Sequence, residues 1–172
     1  KPDSGGRLAL LLVILAPARP GEARKAQWKE IDFAKREWNR PAAHMKNRKA
    51  HTVTLNKPAM SLLKRLYDQR TPGPEDLLFP GRGRKPLSDM TLTRAMPLAK
   101  RPEDVHGFRS SFRDWAAENM PHIPDPVAEA AISHLVPDKV IRAYKKTTFP
   151  KMRRELLEAW GSFLFDEADD RS

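Results

Sequence analysis

The chain has 172 residues, with 32 Lys+Arg against 22 Asp+Glu, a formal net charge of +10 and no cysteine. Residues of the set AVILMFWYC make up 40 %, enough for one compact core and too many for wholesale disorder, while the charge favours a polyanionic partner. Disulfides, thiolate metal sites and cysteine nucleophiles are excluded, and the longest apolar run, Leu8 to Ala16, is nine residues where a bilayer needs about 20. No basic leader and small-residue cleavage site flank that run, so the expectation is a soluble, basic, intracellular domain without a membrane partner.

In chain order, Leu8, Leu11, Leu12 and Leu15 recur at helical spacing after Ser4 and two glycines, which predicts a first helix. Gln27 to Asn56 holds β-formers in short pieces (WKEIDF, EWNR, HTVTLN) and predicts a small antiparallel sheet of about three strands. Ala59 to Gln69 predicts a helix with Leu62, Leu63, Leu66 and Tyr67 inward. Leu77 to Pro80 is a short buried strand or loop, followed by the basic loop GRGRKP. Ser88 is expected to cap a helix reaching about Ala99, stopped near Pro97. Val105 to Met120, Pro126 to Ser133 and Asp138 to Ala143 follow as helices. The last begins near Pro150, with Met152, Leu156, Leu157, Trp160 and Leu164 inward and a frayed acidic tail over 165–172. The class is mainly α with one small sheet (α+β).

Four local signals bear on chemistry. In A-R-P-G-E, Arg19 follows an apolar helix, Pro20 suits the opening of the next, and Glu22 can orient the guanidinium. Taken alone, this arginine reads more simply as a charge offsetting a helix dipole. In H-G-F-R, His106 and Arg109 lie three apart on one helical face and can reach one anion, the planar guanidinium gripping two phosphate oxygens. A capping histidine and a solvated arginine compete with that reading. The third signal, Lys46 to Lys49 in the proposed hairpin, is by itself plain solvated charge. The fourth is S-H-L, with His134 ten residues before Tyr144. Of the two tyrosines, Tyr67 is expected in the core, whereas Tyr144 is flanked by Arg142, Lys145 and Lys146.

Together these blocks resemble the tyrosine recombinases, specifically phage and genomic-island integrases of the satellite-phage type. The ordered pattern Arg, hairpin Lys, His-x-x-Arg, His, Tyr reads here as Arg19, Lys46, His106 with Arg109, His134 and Tyr144. The surrounding blocks ARPGEARKAQWKEID, MKNRKAHTVTLN, HGFRSSFRDWAAEN, VAEAAISHL and AYKKTTFPKMRRELLEAW carry the likeness from about Arg7 to Leu164. Two departures are Pro17-Ala18 where a Thr-Gly pair is commoner, and Lys146 where an arginine is common. The resemblance implies one catalytic domain of the DNA breaking-rejoining fold, without the arm-binding and core-binding domains that normally precede it.

It further implies metal-independent transesterification at DNA attachment sites through a 3′-phosphotyrosyl intermediate. Tyr144 would be the nucleophile, His106 the general base and Lys46 the general acid, with Lys49 the alternative. Arg19, Arg109 and His134 would hold the phosphate, and Glu22 would orient them. Lys25, Lys29, Lys49, Arg82, Arg84, Lys85, Lys100, Arg101 and Lys145 are expected to add backbone affinity. No cofactor is expected: the sequence has neither a G-x-x-x-x-G-K-[ST] loop nor an H-E-x-x-H pair. The family implies a tetramer on DNA, a monomer for the isolated domain, and the bacterial cytoplasm. A type IB topoisomerase, a non-catalytic DNA-binding module and an RNA-binding domain are the competing readings. No R-G-F-G-F or G-x-x-G motif supports the last.

Overall fold

The computed structural model describes residues 4–96, 107–134 and 149–169. The predicted helix over 138–143 and the positions Pro97, Lys100, Arg101, His106, Tyr144 and Lys145 lie outside them.

Helix α1 (Gly5–Leu15) starts at Ser4, whose hydroxyl accepts from the Arg7 N–H at 3.4 Å. Leu8, Leu10, Leu12, Val13 and Leu15 are all buried, so the helix is enclosed over most of its circumference rather than along the single stripe expected. It packs against α2 (Pro20–Lys25), α3 (Lys57–Arg70), α4 (Thr91–Ala95) and α7 (Pro150–Asp169). At Gly6 a Cβ would lie 2.7 Å from Thr91 Cγ2, so the absent side chain is what lets α4 approach.

The end of α1 is tied to elements distant in sequence. Trp160 on α7 donates Nε1–H to the Ile14 carbonyl at 2.8 Å. Asn56, fully buried before α3, donates its amide to the Leu15 carbonyl at 2.8 Å and to the Leu157 carbonyl at 3.0 Å, and accepts from the Ala59 N–H at 3.1 Å. One side chain thereby satisfies groups on three helices. Gly161 permits this, since a Cβ there would lie 2.8 Å from Asn56 Cγ. The turn leaving α1 is thus held where Arg19 begins α2.

The sheet is β1 (Ile31–Asp32), β2 (Glu37–Arg40) and β3 (His51–Thr54), antiparallel in that order. Trp38 pairs with Ile31 on one side and Val53 on the other, and Arg40 pairs with His51. The WKEIDF piece is mostly a 3₁₀ turn, Trp28–Glu30, leaving only two residues of strand. The Leu77–Pro80 piece is buried at Leu78 and Phe79 and bridges Gln27 through Leu77.

Three expectations are corrected. Ser88 does not cap α4, which starts at Thr91; its hydroxyl instead bonds Thr91 Oγ1 at 2.8 Å in the turn before. Tyr67 is not core: it is 40 % exposed, its ring edge-on to Trp28 and Phe33 at the sheet margin. On α7 Leu156, Leu157 and Trp160 are buried and Leu164 packs against the core as expected, but Met152 is exposed and its neighbour Arg153 is the residue turned inward. The backbone of α7 runs to Asp169.

Candidate active site

The site grows from the first turn of α2. Pro20 fills the position where a missing N–H costs nothing, and Arg19 stands before it with extended backbone. Glu22, three residues on and buried, turns back. Its Oε2 accepts from the Arg19 backbone N–H at 3.0 Å, and its Oε1 accepts from Arg19 Nη1 at 3.2 Å. Arg19 therefore starts a helix rather than ending one, and its guanidinium keeps a partly exposed edge, 24 % of the side chain.

A second guanidinium reaches the same carboxylate. Arg40, at the end of β2 and 1 % exposed, donates Nη1–H to Glu22 Oε2. Its guanidinium carbon lies 4.6 Å from the centroid of the Trp38 ring. Trp38 is in turn anchored by Nε1–H to Glu30 Oε2 at 2.9 Å, and Glu30 Oε1 faces His44 Nδ1 at 3.0 Å.

Arg109 enters from α5 (Gly107–Asn119), 4 % exposed beside the packed Phe112. Its Nη1 is buried with no acceptor among the described residues. Burial pushes its pKa down to about 10, with the positive charges of Arg19 and Arg40 adding to the shift and Glu22 and Glu129 opposing it. Burial likewise lowers Arg40 to about 10 against the pull of Glu22. Three guanidiniums around one buried carboxylate leave excess positive charge in a desolvated corner, which is an environment for an anion.

His51 opens β3 opposite Arg40 and lies in the same field. Burial, then the charges of Arg40 and Arg153, push its pKa down to about 3, so its imidazole is neutral at physiological pH. Arg153 on α7 is buried, its pKa lowered by desolvation, and it donates to the Thr52 carbonyl.

His134 follows α6 (Asp125–Ala131) across Ser133, which has φ 54. Its backbone N–H donates to the Glu129 carbonyl at 2.9 Å, and its Nδ1 lies 2.6 Å from Glu129 Oε2. Glu129 also pairs with Arg113 at 2.6 Å. This carboxylate therefore fixes His134 and acts electrostatically on Arg109.

Of the residues expected from sequence, Arg19, Glu22 and Arg109 come together in one charge cluster, and His134 joins through Glu129. Lys46 is exposed in the turn after the 3₁₀ segment Ala42–His44, and Lys49 is exposed with its N–H on Asn47 Oδ1 at 3.1 Å. Arg82, Arg84 and Lys85 form an exposed basic turn around Gly83 at φ 66. Lys25 is exposed, and Lys29 is paired to Glu75 at 2.7 Å. His106 and Tyr144 lie outside the described residues. The sequence motifs do not single out Arg40, His51 or Arg153, which the fold adds to the cluster. The available signal was strand alternation: period two puts Arg40 on the inward face with Trp38, a charge at a core position.

Residues 4–149 match the Phage integrase family. The chain is 32 % identical over 162 residues to the prophage integrase IntA of Escherichia coli (strain K12), covering 92 % of this chain and 38 % of that protein. It is 32 % identical over 178 residues to the integrase of Enterobacteria phage P4, covering 93 % and 40 %. The chain thus spans about two-fifths of the length of these relatives. Among solved structures, an integrase from mycobacterium phage Brujita superposes with a TM-score of 0.62 at 15 % identity, over 90 % of this chain and 50 % of that one, a likeness of fold. No described helix is long and apolar enough to cross a membrane.

Proposed function

From the premise that the chain belongs to the phage integrase family, we propose that it is the DNA-cleaving part of a site-specific tyrosine recombinase acting in integration and excision. The observation that carries this reading is the Glu22-centred cluster. Arg19 and Arg109 come from separate helices, share one electrostatic site, and Arg109 holds a buried donor without an acceptor among the described residues. A phosphodiester offers two non-bridging oxygens in the geometry that paired guanidiniums grip.

In the proposed reaction the Tyr144 phenolic oxygen attacks the scissile phosphorus. The new bond is P–O(Tyr144), and the bond broken is that to the 5′-oxygen. The phenol, with an ordinary pKa of about 10, passes its proton to His106 as it attacks. Lys46 gives a proton to the departing 5′-oxygen, with Lys49 the alternative donor. Arg19 and Arg109 stabilise the charge that builds on the non-bridging oxygens, and His134, aligned by Glu129, adds a hydrogen bond. Attack by a 5′-hydroxyl of another strand reverses each transfer and rejoins the DNA. The bond energy stays in the phosphotyrosine, so this scheme needs no nucleotide and no metal. Double-stranded attachment DNA is the substrate. The protein works in the bacterial cytoplasm, as a tetramer on DNA and as a monomer when this domain is free.

Intact mass after incubation with a nicked half-site tests the reaction class. The expected result is a mass increase equal to the 3′-phosphorylated strand less one water. Unmodified protein beside bound, uncleaved DNA would contradict it. A bridging phosphorothiolate, whose leaving group needs no proton, is expected to restore cleavage to Lys46→Ala; rescue of Lys49→Ala alone would transfer the role.

A further inference from the structure

Arg40 is the most deeply buried charged side chain of the cluster, and the proposed reaction gives it no part. Its side chain has no exposed surface. Taking a guanidinium out of water costs several kcal/mol, and an apolar residue against Trp38 would fill such a position without that cost. What Arg40 supplies instead is a bond to one chosen oxygen. Oε2 of Glu22 receives both Arg40 Nη1–H and the Arg19 backbone N–H, which leaves Oε1 for the Arg19 guanidinium. Holding Oε2 fixes the rotation of the carboxylate about its last bond, and that rotation decides where Oε1 meets Arg19.

The support behind Arg40 is rigid. Its guanidinium lies over Trp38, which sits in the middle strand, fully buried and paired on both sides. Trp38 is pinned by Glu30 at 2.9 Å. Charge acts in the same direction. With Arg19 alone, a buried carboxylate would take the whole guanidinium as its counter-ion. With Arg40 also present, Glu22 is already neutralised, and Arg19 retains charge and a free edge for another anion.

We infer that Arg40 is a positioning residue which, by holding Glu22 Oε2 against the Trp38 face, aims the Arg19 guanidinium and keeps its charge available for the scissile phosphate. The last clause rests on the proposed recombinase reaction; the orientation of Arg19 does not.

Two readouts on the same proteins test it. Nitrogen-15 spectra of the arginine side chains, with Arg19 assigned through Arg19→Lys, report its guanidinium without DNA. Covalent capture of a half-site at saturating DNA reports the reaction. Arg40→Met is expected to shift the Arg19 signals and to slow capture by about tenfold or more, while the DNA dissociation constant changes by less than about threefold. Arg40→Lys, which restores a charge but neither the flat stack nor the fork, is expected to fall between wild type and Arg40→Met. If Arg40→Met fails to fold by circular dichroism, Arg40→Lys carries both readouts. Unchanged Arg19 signals with capture within about twofold of wild type, in a folded variant, would overturn the inference. Absence of covalent product in the wild type would instead count against the recombinase reading, and the Arg19 signals would still decide the role of Arg40.

Discussion

Arg40 and Lys46 belong to one hairpin, six residues apart, yet they are cations of opposite kinds. Arg40 at the base is enclosed between Trp38 and Glu22, whereas Lys46 at the tip is exposed. The base is held by strand pairing and by a carboxylate eighteen residues earlier in the chain. The tip follows a 3₁₀ turn and passes through Arg48 at φ 53. In the proposed reaction the two guanidiniums that would grip the phosphate, Arg19 and Arg109, stand at helix starts, and Arg40 backs Arg19 from a strand end. Lys46, the proton donor proposed for the departing oxygen, is carried on a turn.

Breaking the buried side should cost most. Arg19→Ala and Arg109→Ala are each expected to reduce single-turnover cleavage by at least about 100-fold, the scale for losing one aimed donor at developing charge. Circular dichroism should show the fold retained. Loss of cleavage in step with loss of folded protein would make these arginines structural instead.

The frame behind the cluster comes next. Asn56→Ala removes donors from the Leu15 and Leu157 carbonyls and the cap of α3. It should lower unfolding free energy by about 2–4 kcal/mol, as expected when buried polar groups lose partners. Urea melts check this, and a change below about 0.5 kcal/mol would show that the junction tolerates the loss.

A smaller effect comes from His51. Its folded pKa, about 3, lies below its unfolded value. Above pH 6.5 both states are neutral and no difference arises. As pH falls, the unfolded chain takes a proton that the folded one refuses, so stability declines from about pH 6.5 towards 3, by up to about 1.4 kcal/mol per unit. Urea melts at pH 7 and pH 5 should show a shallower decline in His51→Gln than in wild type. Equal slopes would place a proton on His51 in the folded state.

The exposed side should respond least. Replacing Arg82, Arg84 and Lys85 by alanine is expected to leave stability within about 0.5 kcal/mol. It should reduce the salt slope of DNA binding by about one for each phosphate that these side chains neutralise. An unchanged slope would remove this turn from the interface.

Much of this contrast was legible in the residues. Proline after Arg19 and glutamate three positions later specify a helix start whose third residue turns back, and Glu22 does so. The hairpin was legible because EWNR and HTVTLN alternate around turn residues. The inward position of Arg40 was present in that same alternation, but its partner Glu22 is remote, and no local spacing announces a buried ion pair. Asn56 was opaque for the same reason, since its acceptors lie 41 and 101 residues away. Tyr67 misled because it continues an apolar helical face that ends at the sheet margin, where an aromatic cluster meets solvent.

The central claim is that the buried guanidiniums serve a phosphate attacked by Tyr144, and denaturing electrophoresis of protein with labelled half-site DNA tests it most directly. Wild type and Tyr67→Phe are expected to give a shifted covalent band. Tyr144→Phe, which removes one oxygen and keeps the ring, should bind DNA comparably and give none. A covalent band persisting in Tyr144→Phe, or lost only in Tyr67→Phe, would contradict the account.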